Sequence, residues 1–464
     1  MSSLHWMTAS DAAKAIAAGT LSPVALMSHL LARVEQRNGD LHAFIRLDKD
    51  EALAAARAAE AQARAGQLKG PLHGVPVGIK DVIDVAGKPT TCHSKILAGN
   101  IATNDATCVR KLREAGAIIF GKLSTHEFAM GGPSFDLPWP PARNPWNRDH
   151  HPGGSSSGSG AAVAAGLVPL AIGTDTAGSV RHPASACAIV GTKPTHGLVS
   201  QYGLYPLCPK LDHIGPMTRT VADSALILQA MAGHDPLDPT SSREPAPIFA
   251  SELDQGVRGL RIGFIRHFHE TDMPAHPEVA AGLEAVAKAL RGEGAVITDI
   301  VLPPLQRISA ATFTLIQADA WARHQKWLVE RPGDYGTLGR RRLMTGAFLT
   351  AEDVAEAERT RGELIAAVDA ALRDVDVLMC ASSMDPPCGI SDSAELERTY
   401  PRQARVLFNL TGHPALAMAS GISKDGLPLS VQFAGRYFED ARVLRVARMW
   451  ERIGCTNQLH PPDL

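Results

Sequence analysis

The sequence predicts an α/β protein in which helices pack on both faces of a β-sheet. Short apolar runs bounded by turn residues alternate with segments rich in helix-forming residues, and this order is typical of such sheets. In the first half, the predicted strands are residues 75–79, 117–120 and 169–172, and the predicted helices are residues 106–115 and 159–167. In the second half, the predicted strands are residues 260–265, 295–301, 375–379 and 428–433, and the predicted helices are residues 278–290, 351–372 and 439–453.

Residues 8–66 are predicted to be helical. Ser22 and Pro23 form a typical helix start, and apolar residues follow them at helical spacing. Residues 52–65 are rich in Ala, Glu, Arg and Gln, which are strong helix formers. We expect these N-terminal helices, within residues 1–66, to cover the core or to form the surface of a homodimer.

Composition and charge exclude several classes of protein. The net charge is −2, too small for a broad field that attracts nucleic acid or anionic membranes. No apolar run approaches the roughly 20 residues that span a bilayer, and residues 1–10 lack the pattern of a secretory signal. The seven cysteines form no CxxC pair, so neither a disulfide framework nor a zinc site is expected. We therefore expect a cytoplasmic protein that binds neither nucleic acid nor membrane.

The segment GVPVGIKD, residues 74–81, places Lys80 at the end of an apolar strand. Burial lowers the pKa of a lysine, and a neutral amine can accept a proton from a hydroxyl group. From this segment alone, an ion pair of Lys80 with Asp81 or Asp84 is an equally open interpretation.

The segment GGSSSGSG, residues 153–160, is followed by an Ala-rich helix. By itself it is similar to a flexible linker, but glycines and hydroxyl groups at a helix start also allow close approach of another group. A phosphate-binding loop is disfavoured because neither GK[ST] nor GxGxxG is present. Residues 154–158 also spell GxSxG around Ser156, which leaves a Ser-His-Asp triad open, although no strand precedes this segment.

The segment GTDTAGSVRHPA, residues 173–184, follows a predicted strand. Small residues around Ser179 allow a tight turn whose backbone N–H groups point in one direction, as an oxyanion hole requires. An ordinary turn between a strand and a helix is the alternative.

Together the three segments resemble the amidase signature family, in their order, in their content and in the spacing from Ser155 to Ser179. The resemblance covers a signature core of residues 70–223 and returns faintly in residues 408–421 and 426–436. It implies that Ser179 is the nucleophile, that Ser155 bridges to the base and takes part in a cis peptide bond, and that Lys80 is the base. It also implies an oxyanion hole and an acyl pocket. The oxyanion residues are Thr176, Ala177, Gly178 and Ser179, and the substrate-binding residues are Met130, Gly131 and Gly132. Ala177 stands where the family usually has Gly.

The resemblance further implies a single domain, residues 1–464, built on one large mixed sheet. The expected reaction is hydrolysis of a carboxamide or a related C–N bond in a small molecule, with a carbamate or ester also open, through an acyl-enzyme. No cofactor and no metal are expected. The alternative function is the amidase subunit of a glutamine-dependent tRNA amidotransferase complex, which uses the same triad.

Substrate specificity is expected to reside in residues 304–350, where the resemblance is weakest. The aromatic and amide side chains of this region line a pocket or belong to the core; they are Phe313, Gln317, Trp321, Trp327, Tyr335 and Phe348. The arginines at positions 340–342 are predicted to be solvated or to face the substrate. Residues 136–146, rich in Pro and Trp, are expected to form a pocket rim.

Overall fold

The computed structural model describes residues 4–462, which contain one 11-stranded sheet and its surrounding helices. The strands are β1 (Phe44–Leu47), β2 (Pro76–Lys80), β3 (Ile118–Leu123), β4 (Leu170–Thr174), β5 (Val190–Lys193), β6 (Ile214–Thr218), β7 (Arg261–Phe264), β8 (Val296–Asp299), β9 (Val377–Ala381), β10 (Ala415–Ile422) and β11 (Pro428–Ala434). The helices are α1 (Ala9–Ala17), α2 (Pro23–Leu41), α3 (Lys49–Arg64), α4 (Thr107–Glu114), α5 (Ser157–Ala164), α6 (Arg181–Cys187), α7 (Val221–Met231), α8 (Pro277–Gly292), α9 (Leu305–Glu330), α10 (Thr337–Met344), α11 (Ala351–Asp374), α12 (Ser393–Thr399), α13 (Val406–Leu410) and α14 (Asp440–Ile453). Within residues 4–462, no helix combines the length and the apolar composition needed to cross a bilayer.

The sheet is mixed, with the strand order β1-β3-β2-β4-β6-β5-β10-β11-β9-β7-β8. Strand β2 runs parallel to its neighbours β3 and β4, and β7 runs parallel to β8 and β9. The remaining neighbours are antiparallel. The predicted fold class is confirmed, and so is the mixed sheet that the family resemblance implied.

Helices cover both faces of this sheet. Along β4, Leu170 and Ile172 enter one hydrophobic core, whereas Ala171 between them enters a second core. The second core is completed by apolar residues of α1, α2, α3 and α5. Since successive side chains of a strand point to opposite faces, the two cores lie on opposite sides of the sheet.

Four strands were not predicted from the sequence, and one of them corrects the prediction that residues 8–66 are helical. Strand β1 lies inside that range and pairs with the edge of β3. The other three are β5, β6 and β10, which form the middle of the sheet. Strands β5 and β6 read VGTK and IGPMT, so glycine, lysine and proline, which are depleted in strands, interrupt their β-branched residues. Pairing with neighbours, not local propensity, determines these elements.

Candidate active site

The site begins where two neighbouring parallel strands end. Ile79 of β2 lies beside Ile172 of β4, so Lys80 and Thr174 emerge at the same edge of the sheet. The carboxyl ends of parallel strands are where open α/β sheets bind their ligands. The Lys80 Nζ lies 2.6 Å from the Thr174 Oγ1, and the lysine side chain is fully buried.

Ser155 reaches Lys80 from the loop that precedes α5. The Lys80 Nζ lies 2.8 Å from the Ser155 Oγ. The peptide bond between Gly154 and Ser155 is cis, as the resemblance implied. The Gly/Ser-rich run is not a flexible linker, because a Cβ on Gly158 would lie 2.3 Å from the Ala43 carbonyl oxygen. Glycine is required there to let α5 pack against the neighbouring backbone.

Lys80 has the surroundings of a base and not those of an ion pair. Burial lowers its pKa from 10.5 to about 7, although the nearby carboxylates of Asp175 and Asp212 oppose this shift. Asp81 pairs instead with the buried Lys122, at 3.2 Å. Among the described residues Lys80 has no carboxylate partner within ion-pair distance, so the ion-pair interpretation is wrong.

A buried carboxylate organises the turn that carries Ser179. Asp175 accepts hydrogen bonds from the backbone N–H groups of Gly178 at 2.6 Å and Val180 at 3.1 Å. It also pairs with the Arg181 guanidinium at 3.0 Å. Burial alone would raise the pKa of Asp175, but Arg181, Asn409 and Lys193 together outweigh that effect and hold the pKa below its usual range. A fixed carboxylate at the base of the turn therefore sets its shape.

The turn leaves three backbone donors available. Within residues 4–462, the N–H groups of Thr176, Ala177 and Ser179 have no hydrogen-bond acceptor. The N–H of Gly178, which the resemblance included in the oxyanion hole, is already bonded to Asp175. Gly178 has φ 107°, a left-handed conformation that favours glycine. It therefore shapes the turn, and its N–H is not free for an oxyanion.

A cavity of about 540 Å³ opens over this turn. The predicted site residues that line it are Ser155, Ser179, Thr176, Ala177, Met130 and Gly131. Gly132 lines an adjoining side pocket of about 150 Å³ together with Gly131. The residues predicted from the sequence thus form two parts of the cavity lining, namely the turn that carries Ser179 and the segment that contains Met130 and Gly131.

The aromatic residues of region 304–350 divide between the cavity and the core. Phe313 and Gln317 line the cavity. Trp327 and Tyr335 pack around Phe128, with ring centroids 6.5 and 5.7 Å from it, and Trp321 packs against the main core. Phe348 is 82% exposed. The pocket interpretation therefore holds for Phe313 and Gln317, and the core interpretation holds for Trp321, Trp327 and Tyr335. Phe348 fits neither interpretation.

Two arginines of α10 line the cavity and have different surroundings. Arg341 pairs with Glu397. Arg342 has neither an ion pair nor a side-chain hydrogen bond to any described residue, although the nearby Glu397 carboxylate also interacts with it electrostatically. Burial lowers the pKa of the Arg342 guanidinium below its usual range. A half-buried guanidinium without an ion-pair partner, facing a cavity, indicates a site for an anionic group.

Two carboxylates from the segment on either side of Met130 hold the start of α10. The Glu127 Oε2 accepts the Gly336 N–H at 3.0 Å, and the Asp136 Oδ2 accepts the Thr337 N–H at 2.8 Å. A Cβ on Gly339 would lie 2.4 Å from the Glu127 Oε2, so this contact requires glycine. Residues 136–146 were predicted to form a pocket rim, but none of them lines the cavity. Asp136 instead positions the helix that does.

Six polar residues that line the cavity were not predicted as site residues; they are His126, His182, Glu397, Tyr400, Gln403 and Arg405. His126 and His182 lie beside Tyr400, with ring centroids 6.0 and 4.7 Å from it, and Arg405 completes the group. Burial holds the pKa of both histidines well below its usual range, so they are neutral. His182 could have been predicted from the sequence, because it follows Ser179 by three residues within the segment 173–184. Tyr400 and Arg405 belong to a stretch without any motif.

The alternative triad around Ser156 has no structural support. The Ser156 hydroxyl is fully buried and donates to the Thr174 carbonyl oxygen at 3.1 Å. It also accepts the Thr174 N–H at 3.2 Å, and it does not line the cavity. Its role is to tie the loop before α5 to β4.

Comparisons with known proteins agree with this geometry. The model of the Amidase family matches residues 25–444. A glutamyl-tRNA(Gln) amidotransferase subunit from Chloroflexus aggregans is 38% identical over 98% of this chain and 97% of its own length. A chain from the solved structure of a vestigial protein complex, which reveals the evolutionary origins of an s-triazine catabolic enzyme, aligns with a TM-score of 0.90 at 31% identity, covering 97% of this chain and 99% of its own. The peptide amidase of Stenotrophomonas maltophilia aligns with a TM-score of 0.85 at 30% identity, covering 98% of both chains.

Proposed function

This chain belongs to the amidase signature family and is an amidase acting on carbon–nitrogen bonds, and from that premise we propose that Ser179, Ser155 and Lys80 carry its reaction. The observation that supports this proposal most is the 2.8 Å contact between the Lys80 Nζ and the Ser155 Oγ inside the core. A buried lysine without a carboxylate partner, bonded to two hydroxyl groups, is suited to accept a proton.

The first step is a proton relay. A serine hydroxyl is a weak nucleophile until a base takes its proton. With a pKa of about 7, Lys80 is partly neutral at physiological pH and accepts the Ser155 proton. Ser155 in turn takes the proton of Ser179, whose Oγ then attacks the carbonyl carbon of the amide.

The second step is the release of the amine. Negative charge develops on the carbonyl oxygen, and the free N–H groups of Thr176, Ala177 and Ser179 are suited to bind it. The protonated Lys80 returns its proton through Ser155 to the leaving nitrogen, so that the C–N bond breaks and an acyl-enzyme on Ser179 remains. Water then attacks that ester by the same relay and frees the acid.

The cavity favours a small amide that carries an anionic group. Arg342 is the feature that supports this, because its guanidinium faces the cavity and forms no ion pair or side-chain hydrogen bond with a described residue. Guanidinium groups bind carboxylates through paired, charge-assisted hydrogen bonds. A substrate carboxylate held at Arg342 would orient the amide over Ser179.

The alternative is the amidase subunit of a glutamine-dependent tRNA amidotransferase. The names of the relatives favour this alternative over a free amidase. The charges of the cavity are less suited to glutamine, which carries an ammonium group beside its carboxylate. Glu397 is the one carboxylate that lines the cavity in residues 4–462, and it is already paired with Arg341.

A substrate panel on the purified chain separates the two functions. We expect the chain alone to hydrolyse an anionic amide such as succinamate with a higher kcat/KM than succinamide or glutamine. Ammonia release is the measurement. The control variant is Arg398→Gln, which replaces an exposed arginine outside the cavity and should keep the same order of substrates as the wild type. A chain that hydrolyses glutamine best, or that acts only with a partner protein added, would instead serve in an amidotransferase.

A further inference from the structure

Arg405 is a buried arginine on the wall of the reaction cavity. Its side chain is 2% exposed, and it lines the cavity together with Ser179. One guanidinium nitrogen donates to the Ser382 carbonyl oxygen at 2.7 Å and to the Ser383 Oγ at 2.6 Å. The Nε is buried and has no hydrogen-bond partner among the described residues. A Cβ on Gly178 would lie 2.6 Å from this Nε, so the guanidinium lies directly against the turn of the oxyanion donors.

No described carboxylate forms an ion pair with Arg405. Asp175, which lies near it, is bonded to the Arg181 guanidinium and to three backbone N–H groups. The ring groups around Arg405 are neutral, because burial keeps His182 uncharged and raises the pKa of Tyr400. A charged group that is buried and unpaired is costly unless a ligand completes it.

Arg405 and Arg342 border different ends of the cavity. Arg342 also lines the side pocket that contains Gly131 and Gly132, the segment expected to hold the acyl group. Arg405 also lines a smaller recess that contains His151 and His182. Tyr400 lies between the two ends, since it lines the cavity and both adjoining spaces. Arg341 is paired to Glu397, whereas neither Arg342 nor Arg405 has a described carboxylate within ion-pair distance.

We infer that Arg405 is a second anion-binding group, and that the substrate is a small amide with an acidic group on each side of the scissile bond. The acyl-side acid binds Arg342, and the acid on the leaving amine binds Arg405. This inference rests on the proposed amidase function and specifies its substrate class. The products would then be a dicarboxylate and an amino acid.

Binding measurements test this inference independently of catalysis. The protein is full-length Ser179→Ala, which lacks the nucleophile, and the method is titration calorimetry. The probes are succinamate, with an acyl-side carboxylate, N-acetylglycine, with one on the amine side, and N-succinylglycine, with both. We expect N-succinylglycine to have a Kd at least about tenfold below that of either single acid, since hydrogen bonds between charged groups are the strong ones. Equal Kd values for N-succinylglycine and succinamate would overturn the inference.

Variants in the same background assign each acid to its arginine. Arg405→Gln should remove the increase in affinity that the glycine carboxylate provides and keep the increase that the succinyl carboxylate provides. Arg342→Gln should do the reverse. Arg405→Lys should restore part of the gain, and Arg398→Gln should leave all three Kd values unchanged. If a folded Arg405→Gln protein weakens all probes equally, or none, then Arg405 only supports the turn and the inference fails. If the wild-type protein hydrolysed none of these amides while the Kd values were as expected, the proposed function would fail and the binding inference would stand.

Discussion

At the scale of single residues, burial changes what each polar group can do. Lys80 and Lys122 are both buried at the ends of neighbouring parallel strands. Lys122 has the Asp81 carboxylate and several oxygen acceptors beside it, so it is suited to hold structure together. Lys80 meets two hydroxyl groups and no paired carboxylate among the described residues. The same residue type therefore performs two tasks because its partners differ.

The pKa of Lys80 predicts the pH dependence of the reaction. Because the neutral amine is the active form, kcat/KM should rise with pH through an apparent pKa of about 7 and fall as the pH drops below it. Lys80→Met should lose orders of magnitude in kcat, as removal of one member of such a unit does. Initial rates between pH 5 and 9 are the measurement. The base would be another residue if the rise of kcat/KM with pH persisted in Lys80→Met, or if it disappeared when a histidine was replaced.

Ala177 tests the oxyanion hole. Ala177→Gly keeps the N–H and should stay active, with a shift in KM at most. Ala177→Pro lacks the N–H, and loss of one oxyanion donor typically lowers kcat by about 10²–10³. Circular dichroism and thermal unfolding must first establish a native fold. A folded Ala177→Pro enzyme with kcat within about tenfold of the wild type would mean that this N–H is not a principal donor.

At the scale of elements, the site depends on contacts between segments that are distant in sequence. Strands β2 and β4 are parallel neighbours, and this alone brings Lys80 to Thr174. Helix α10 brings Arg342 to the same cavity, and its first N–H groups are held by Glu127 and Asp136 from the segment that also supplies Met130. Carboxylates are favourable at a helix N-terminus, where the N–H groups lack partners.

Removal of the Glu127 carboxylate should therefore weaken substrate binding more than chemistry. Glu127→Ala loses the hydrogen bonds to Gly336 and Ser94, so α10 no longer holds Arg342 in one position. We expect KM for succinamate to rise about tenfold, while KM for neutral succinamide changes little. The control is Asp334→Ala, which removes a surface carboxylate just before α10 that pairs with Arg331. Equal effects on both amides would show that Glu127 only stabilises the fold.

The sequence predicted seven of the eleven strands of this sheet, but it predicted neither the middle of the sheet nor the longest described helix, α9. Long periodic helices such as α8, α11 and α14 were recognised within a few residues. Strands β5 and β6 were missed because their small and polar residues pair inside the sheet, where neighbours and not propensity decide the conformation. The site residues differ in the same way, because some are marked by local sequence and others only by contacts made in the fold. Lys80, Ser155 and Ser179 lie in local motifs, whereas Arg342 and Arg405 acquire meaning only when folding brings them to one cavity.

At the scale of the whole molecule, one sheet joins the N-terminal helices to the signature core. Strand β1 pairs with β3, and Asp223 at the start of α7 accepts the N–H groups of Ala9 and Ser10 at 3.0 and 2.9 Å. The single-domain organisation stays a prediction, as do the homodimer and the cytoplasmic location. The charge of the cavity, which depends on residues from α10, α12 and the segment before α13, is a property of the complete fold.

The most direct test of the account is the site of the acyl group. A slowly deacylating ester should leave its acyl group on the enzyme during turnover, and peptide mapping by mass spectrometry locates it. We expect the added mass on the peptide that contains Ser179, and none in Ser179→Ala. Both Ser155 and Ser156 lie on a different segment, so fragmentation distinguishes them. An acyl group on Ser156, or turnover by Ser179→Ala at more than about a tenth of the wild-type kcat, would contradict the account.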